Sequence, residues 1–268
     1  MKSGDDLKIS VLSSGSGGNC TYIETPQHKV IQDAGLSGVR IERLLQAIGK
    51  DLREVDALFV THEHTDHAKG VGILARKYGM DVYANQATWR AMDGKIGKIP
   101  IEQKQLFDPN ATKLLGDLDI ESFTVPHDAA QAQFYNYHHN GKSFVIVTDT
   151  GAITDRIEGV IQNADAYLFE CNYDTEMLMT GDYSYSTKMR INSATGHLSN
   201  VAGTEALMDV MGPKTKNIFL AHRSHHNNTK SLARMTVASM MQSNGLGVGR
   251  DFQLRDTDVE HPSKIIKL

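Results

Sequence analysis

The sequence predicts an α/β protein built in layers, and two observations predict it. Short apolar runs that read as strands alternate with stretches of helical spacing along the chain, and several of those runs end in a residue type that ligates metals. The densest case is Phe59-Val60-Thr61-His62-Glu63-His64-Thr65-Asp66-His67, where His62, His64, Asp66 and His67 directly follow the apolar run Ala57-Leu58-Phe59-Val60. In an extended segment, residues two apart point the same way, so His62 and His64 can grip one ion together. Neutral imidazole and carboxylate suit zinc, manganese or iron, and two such groups a few residues apart suit a pair of ions. The bland reading is a solvated His-rich loop; the density of ligand types behind a buried strand weighs against it.

At 268 residues, with 40% hydrophobic and 22% charged residues, the chain has the composition of a soluble globular protein with a substantial core. A net charge of -4 provides no global attraction to nucleic acid, so any such binding requires a local basic surface. Cys20 and Cys171 are too far apart in sequence to suggest a disulfide framework and read as small core residues. The opening Met1-Lys2-Ser3-Gly4-Asp5-Asp6 lacks the apolar stretch of a signal peptide. No segment approaches the roughly 20 apolar residues of a membrane span. The expectation is a cytoplasmic protein without membrane contact.

Taken in order, residues 7–12 alternate as a strand, Ser13-Ser14-Gly15-Ser16-Gly17-Gly18-Asn19 breaks it, and residues 20–24 resume it, which predicts a hairpin. The glycines suggest a phosphate loop, but no lysine follows and the next element is a strand, so a plain turn is the better reading. Residues 30–35 form a short strand carrying Asp33 near its end, and a helix follows over 39–48 with Val39, Leu44, Leu45 and Ile48 inward. Asp33 is read as an acid that orients the histidine loop, ahead of a helix N-cap, because a ligating imidazole needs a partner. Residues 68–78 read as a helix with Val71, Leu74 and Ala75 inward, starting near Asp66 and His67. A strand over 81–84 and a short helix over 86–92 carrying Trp89 come next. The stretch 93–104, with Lys95, Lys98 and Lys104, reads as a solvated loop or a strip along a polyanion.

Strands at 119–125, 133–138 and 143–148 give a mostly antiparallel succession in mid-chain. One leads into Pro126-His127-Asp128 and another into Thr148-Asp149-Thr150-Gly151, which adds His127 and Asp149 to the candidates. A helix over 153–162 precedes a buried strand over 166–170 that ends in Glu170. The apolar run 218–221 ends in His222, between helices over 200–211 and 229–241. By analogy with parallel sheets, strand ends are where such sites gather. No repeat or linker interrupts the chain, which reads as one domain over 1–268.

His62, His64, Asp66, His67, His127, Asp149 and His222 together resemble the metallo-β-lactamase superfamily, whose pattern is HxHxDH followed by His, Asp and His at later strand ends. The resemblance implies a four-layer αββα sandwich with two metal ions. A narrower likeness lies in Ser14-Gly15-Ser16-Gly17-Gly18-Asn19-Cys20, Asp33-Ala34-Gly35-Leu36-Ser37, Thr61-His62-Glu63-His64, Thr148-Asp149-Thr150-Gly151, Gly196-His197-Leu198-Ser199-Asn200 and Asn227-Asn228. These resemble the YycJ (WalJ) family of bacterial exonucleases. Gly196-His197-Leu198-Ser199 also resembles a motif of the larger RNase J type nucleases, whose extra β-CASP domain this chain is too short to hold. Ser224-His225-His226-Asn227-Asn228 departs from the pattern, with histidines where acidic or amide residues are usual.

Family ligation implies one metal on His62, His64 and His127, the other on Asp66, His67 and His222, with Asp149 bridging, and Mn or Zn as the ions. It further implies a metal-bridging hydroxide as nucleophile, oriented by Asp149 and Asp66, for phosphodiester hydrolysis with 5′-to-3′ polarity on DNA. The leaving sugar oxygen needs a proton donor, and His197, in a glycine-bounded loop outside the seven ligands, is the candidate for that role or for a phosphate contact. Glu170 pairs with it, fixing its tautomer as acid catalysis requires; the bland readings are a local packing role for His197 and a plain salt bridge for Glu170. Lys188, Arg190, Arg223 and Lys69 are candidate phosphate contacts from their closeness in sequence to site residues. Two further readings are a small-molecule phosphodiester or thioester hydrolase using the same centre, and a regulatory binding protein with a residual metal site.

Overall fold

The computed structural model describes residues 5–268; Met1, Lys2, Ser3 and Gly4, part of the segment read as lacking a signal peptide, lie outside the described residues. The described chain divides into two compact units. The first reaches to Thr124 and adds Ala129–Lys142 and Thr257–Leu268; the second comprises Val125–Asp128 and Ser143–Asp256.

In the first unit, the alternation of residues 7–24 closes into the predicted hairpin, β1 (Lys8–Ser13) and β2 (Cys20–Glu24), with Ile9 opposite Ile23. β3 (Lys29–Gln32) pairs antiparallel with β2. α1 (Gly38–Ala47) buries Ile41, Leu44 and Leu45 but leaves Val39 exposed, against expectation. Val39 is two residues from Ile41, which on a helix turns it to the opposite face. β4 (Ala57–Phe59) delivers the histidine motif, whose first turn is α2 (Thr65–Ala68). The predicted helix over 68–78 is thus two pieces, α2 and α3 (Val71–Tyr78), separated by Lys69 and Gly70. Gly70 donates its N–H to Ala34 O, and a Cβ there would stand 2.4 Å from Leu36 O.

β5 (Asp81–Ala84), α4 (Gln86–Met92) and β6 (Lys104–Leu106) follow, then the antiparallel ladder β7 (Thr112–Leu115), β8 (Leu118–Thr124) and β9 (Gln133–His139). β6 and β7 escaped the sequence because they are short and keep no buried face. The core of this unit packs Leu44 and Leu45 of α1 and Leu74 and Ala75 of α3 with Leu58, Val60 and Val82. A separate aromatic group stacks Phe59 on Tyr83 at 4.7 Å, with Tyr135 and Tyr137 edge-on to Phe59. Tyr135 Oη donates to Val60 O at 2.9 Å, satisfying a buried polar pair two residues before His62.

The second unit carries β10 (Lys142–Val147), α5 (Asp155–Ile161) and β11 (Ala166–Glu170). Two short helices absent from the sequence reading come next, α6 (Thr175–Thr180) and α7 (Tyr185–Ile191). Each is announced by a capping side chain: Asp174 Oδ1 accepts from Met177 N and Ser184 Oγ from Thr187 N. α8 (Asn200–Val210), β12 (Asn217–Ala221), α9 (Lys230–Ser243) and β13 (Gln253–Asp256) complete the unit. β10, β11, β12 and β13 run parallel to one another in that order. Parallel pairing needs long crossovers, and α5, α8 and α9 lie within them. The chain returns to the first unit with β14 (Ile266–Lys267), giving a sheet of order β14-β1-β2-β3-β4-β5-β6.

Among the described residues no helix is long and apolar enough to cross a membrane. Cys20 and Cys171 are buried core residues, and burial pushes the Cys171 thiol up to about 12 and that of Cys20 up as well, so neither is poised as a nucleophile.

Candidate functional site

The histidine motif of the first unit begins where β4 ends. Asp33, one residue past β3, accepts hydrogen bonds from Thr61 N and Thr61 Oγ1, and His67 Nδ1–H donates to its Oδ2 at 2.9 Å. Thr61 Oγ1 in turn accepts Nδ1–H of His62 at 3.0 Å. One buried carboxylate therefore sets the tautomers of two imidazoles, directly for His67 and through Thr61 for His62, making Nε2 the basic nitrogen of each. The reading of Asp33 as the orienting acid is borne out. His62 and His67 are fully buried, and their rings lie 4.2 Å apart. A nitrogen of His62 and one of His64 come within 4.8 Å of each other, and His67 Nε2 lies 3.5 Å from Asp66 Oδ2.

Asn19, the last residue of the glycine-rich turn, closes this arrangement. Its N–H donates to Asp66 O at 2.8 Å, and its Nδ2 approaches His67 Nε2 to 3.0 Å. Within the turn, Gly15 N–H goes to Asn19 Oδ1 and Gly18 N–H to Gly15 O, so two of its amides serve the turn itself, in keeping with a plain turn. Gly35 is required here: a Cβ would stand 1.7 Å from Asp66 O.

The second unit gathers His127, Asp149, Glu170, His197 and His222. Asp149 follows β10, Glu170 ends β11 and His222 follows β12, three neighbouring strand ends. His127 Nδ1–H points to Gly196 O at 3.3 Å, and burial pushes the imidazole pKa down, favouring the neutral form that ligates metals. Its Nε2 lies 3.9 Å from Asp149 Oδ1, and His222 Nε2 lies 3.4 Å from the same oxygen. Glu170, fully buried, accepts Nδ1–H of both His197 and His222 on Oε1 at 2.9 Å each, and the N–H groups of Thr150 and Leu198 on Oε2. Burial pushes this carboxyl up, but the two imidazoles outweigh it and hold the group below its ordinary value, ionised.

With their Nδ1–H groups so engaged, the imidazoles of His127 and His222 turn electron-rich nitrogens toward a carboxylate oxygen. Such a convergence of soft nitrogen and hard oxygen donors is what a divalent cation satisfies, so the donor set fits metal ions. Asp33 (φ 60), Asp149 (φ 51) and His222 (φ 49) all adopt left-handed backbone, a strain of about 1–3 kcal/mol each of the kind that clusters at functional sites.

The predicted basic residues are placed differently. Lys188 Nζ donates to Met179 O, Arg190 pairs with Asp128 at 2.7 Å, and Arg223 donates to Leu220 O, while Lys69 is exposed after α2. The first three already have protein acceptors. Sequence reasoning gave no role to Asn19 or Thr61 and missed the grip of Glu170 on His222; the signal for the first two is that each lies inside a quoted motif, Asn19 in Ser14–Cys20 and Thr61 in Phe59–His67.

A profile of the Beta-lactamase superfamily domain matches residues 28–222. The chain is 48% identical over 264 residues to Exodeoxyribonuclease WalJ of Streptococcus pneumoniae serotype 2 (strain D39 / NCTC 7466), covering 98% of each chain. It is 48% identical over 259 residues to Exodeoxyribonuclease YycJ of Bacillus anthracis, covering 97% of this chain and 98% of that one. Among solved structures, the metallo-beta-lactamase fold protein YhfI from Bacillus subtilis is similar over 98% of this chain and 100% of its own, with a TM-score of 0.73 and 16% identity, a likeness of fold alone. The two mixed β-sheets flanked by helices agree with that fold and with the sequence expectation.

Proposed function

Because the chain belongs to the metallo-β-lactamase superfamily, and within it to the family of the WalJ and YycJ proteins, we propose that it is a metal-dependent exodeoxyribonuclease that hydrolyses DNA phosphodiester bonds from the 5′ end. The reading takes residues 1–268 as one catalytic domain of a cytoplasmic protein. Divalent ions, Mn or Zn, would be held by His62, His64 and His127 and by Asp66, His67 and His222, with Asp149 contributing to both sets. The observation that carries the reading is the buried carboxylate Glu170 holding His197 and the ligand candidate His222 by the same edge, beside Asp149.

Bound divalent ions supply Lewis acidity, lowering the pKa of water and neutralising phosphate charge. The chain does the rest. Asp33 and Glu170 keep His67 and His222 in the tautomer that offers Nε2 outward. Asp149 and Asp66 orient the attacking water by accepting its hydrogens. His197, with Nδ1–H committed to Glu170, presents Nε2 to the departing sugar oxygen; protonated there, it donates and leaves neutral. Lys69 and Arg223 are placed in sequence beside ligand candidates and neutralise flanking phosphates, with Lys188 and Arg190 contributing when they exchange their present acceptors for phosphate.

The test is metal-stripped protein, reloaded with single metals, on end-labelled single- and double-stranded DNA and RNA. DNA shortening from the 5′ end, restored by Mn or Zn, is expected. Hydrolysis of small phosphodiesters or thioesters with DNA untouched would instead establish the small-molecule hydrolase.

A further inference from the structure

Nothing in this chemistry uses the segment that departs from the family pattern, Ser224 to Asn228, yet the second unit anchors it firmly. Ser224 N–H donates to Asn172 O at 2.8 Å, and Asp174 N–H donates to Asn227 O at 2.8 Å. Asn228, buried, donates from Nδ2 to Cys171 O and Asn200 Oδ1 at 2.9 and 2.8 Å. Asn172 ties the same loop to the site, its Nδ2 donating to His222 O at 2.6 Å. Of these partners, Cys171, Asn172 and Asp174 follow closely on Glu170. The loop therefore stands fixed against the strand end that orients His197 and His222.

What this buried polar frame holds out is aromatic. His225 and His226 are exposed, their rings 5.1 Å apart and edge-on. The Tyr183 ring stands 5.8 Å from that of His226 and is itself half-buried against Tyr173, Leu178 and Ile191. A solvated turn has no need of three anchors, and flat rings left in water on a rigid base offer a surface to another flat ring. Nucleobases have such faces, and aromatic side chains hold them with little regard to sequence. The loop begins two residues after His222, about a nucleotide's reach from the proposed chemistry.

We propose that Tyr183, His226 and His225 form a stacking rim for the nucleobase that flanks the scissile phosphate, so that the enzyme reads a base as well as a backbone at the strand end. The proposal rests on the nuclease reading above. It makes the rim a contact with the substrate rather than part of the hydrolytic machinery.

The test compares oligonucleotides with an ordinary terminal nucleotide and with an abasic tetrahydrofuran residue in its place, using full-length protein loaded with Mn. Wild type is expected to lose about ten-fold in kcat/KM on the abasic end, as one stacked base predicts. The double variant Tyr183→Ala, His226→Ala should cut the two ends equally, and Tyr183→Phe with His226→Tyr should restore the discrimination, which a merely destabilised loop would not allow. Equal cutting of both ends by wild type, or unchanged discrimination in the alanine variant, overturns the rim while leaving the nuclease reading intact. Failure to cut either end overturns both.

Discussion

Glu170 Oε1 accepts the Nδ1–H of His197 at 2.9 Å and, at the same distance, that of His222. One carboxylate thus orients a proposed proton donor and a proposed ligand. Glu170→Gln removes the charge and offers only one oxygen to the four donors now shared between two. Turnover is expected to fall about 100-fold, with metal affinity weakened about 10-fold through His222. Steady-state kinetics alongside metal titration would check it, and a fall in turnover at undiminished metal affinity would assign Glu170 to His197 alone.

His197→Ala separates the two roles. It removes the proton donor but none of the seven ligand candidates, so kcat on DNA should drop about 100-fold or more while both metals stay bound. Elemental analysis is the deciding measurement: loss of a metal would make His197 a ligand and end its assignment as the acid.

Gly35→Ala should disturb the histidine motif from outside it. The new Cβ meets Asp66 O at 1.7 Å, so either the Asp66-His67 turn or the Asp33-Gly35 segment must shift. Overpacking of this kind costs about 1–3 kcal/mol, a Tm several degrees lower. Because Asp66 and His67 move with it, metal affinity should fall as well. A lower Tm with affinity unchanged would show that the turn absorbs the methyl group without moving its side chains.

Glu24, nearly buried, accepts hydrogen bonds from Lys8 at 2.8 Å and Tyr22 at 2.6 Å and pairs with Lys50. Burial pushes its carboxyl up, but Lys50, Lys8 and Tyr22 outweigh that and hold it at about 2, below its ordinary value of 4.5. A depressed folded pKa contributes stability that is present above the unfolded value and lost as pH falls through the folded one. Glu24→Gln is therefore expected to cost about 1–3 kcal/mol near neutrality, with the gap to wild type closing between about pH 4.5 and 2. Denaturant melts across that range measure it, and a gap independent of pH would mean that Glu24 acts through packing rather than charge.

The sequence by itself determined the alternation of strands and helices, the ligand types at their ends and the family they spell, because each is a local pattern: period two, period 3.6, or a fixed spacing such as His62, His64, Asp66 and His67. It also supported Asp33 as an orienting acid, on the rule that a ligating imidazole needs a partner. Short edge strands such as β6 and the capped helices α6 and α7 were illegible because they bury too few residues to leave a period. Only the tertiary structure decided that Thr61 relays Asp33 to His62, that Asn19 closes on His67, and that Glu170 serves His222 as well as His197. These are contacts between residues up to 52 apart in the chain, made where separate strands end side by side, and hydrogen bonds across such distances leave no periodic trace in the sequence.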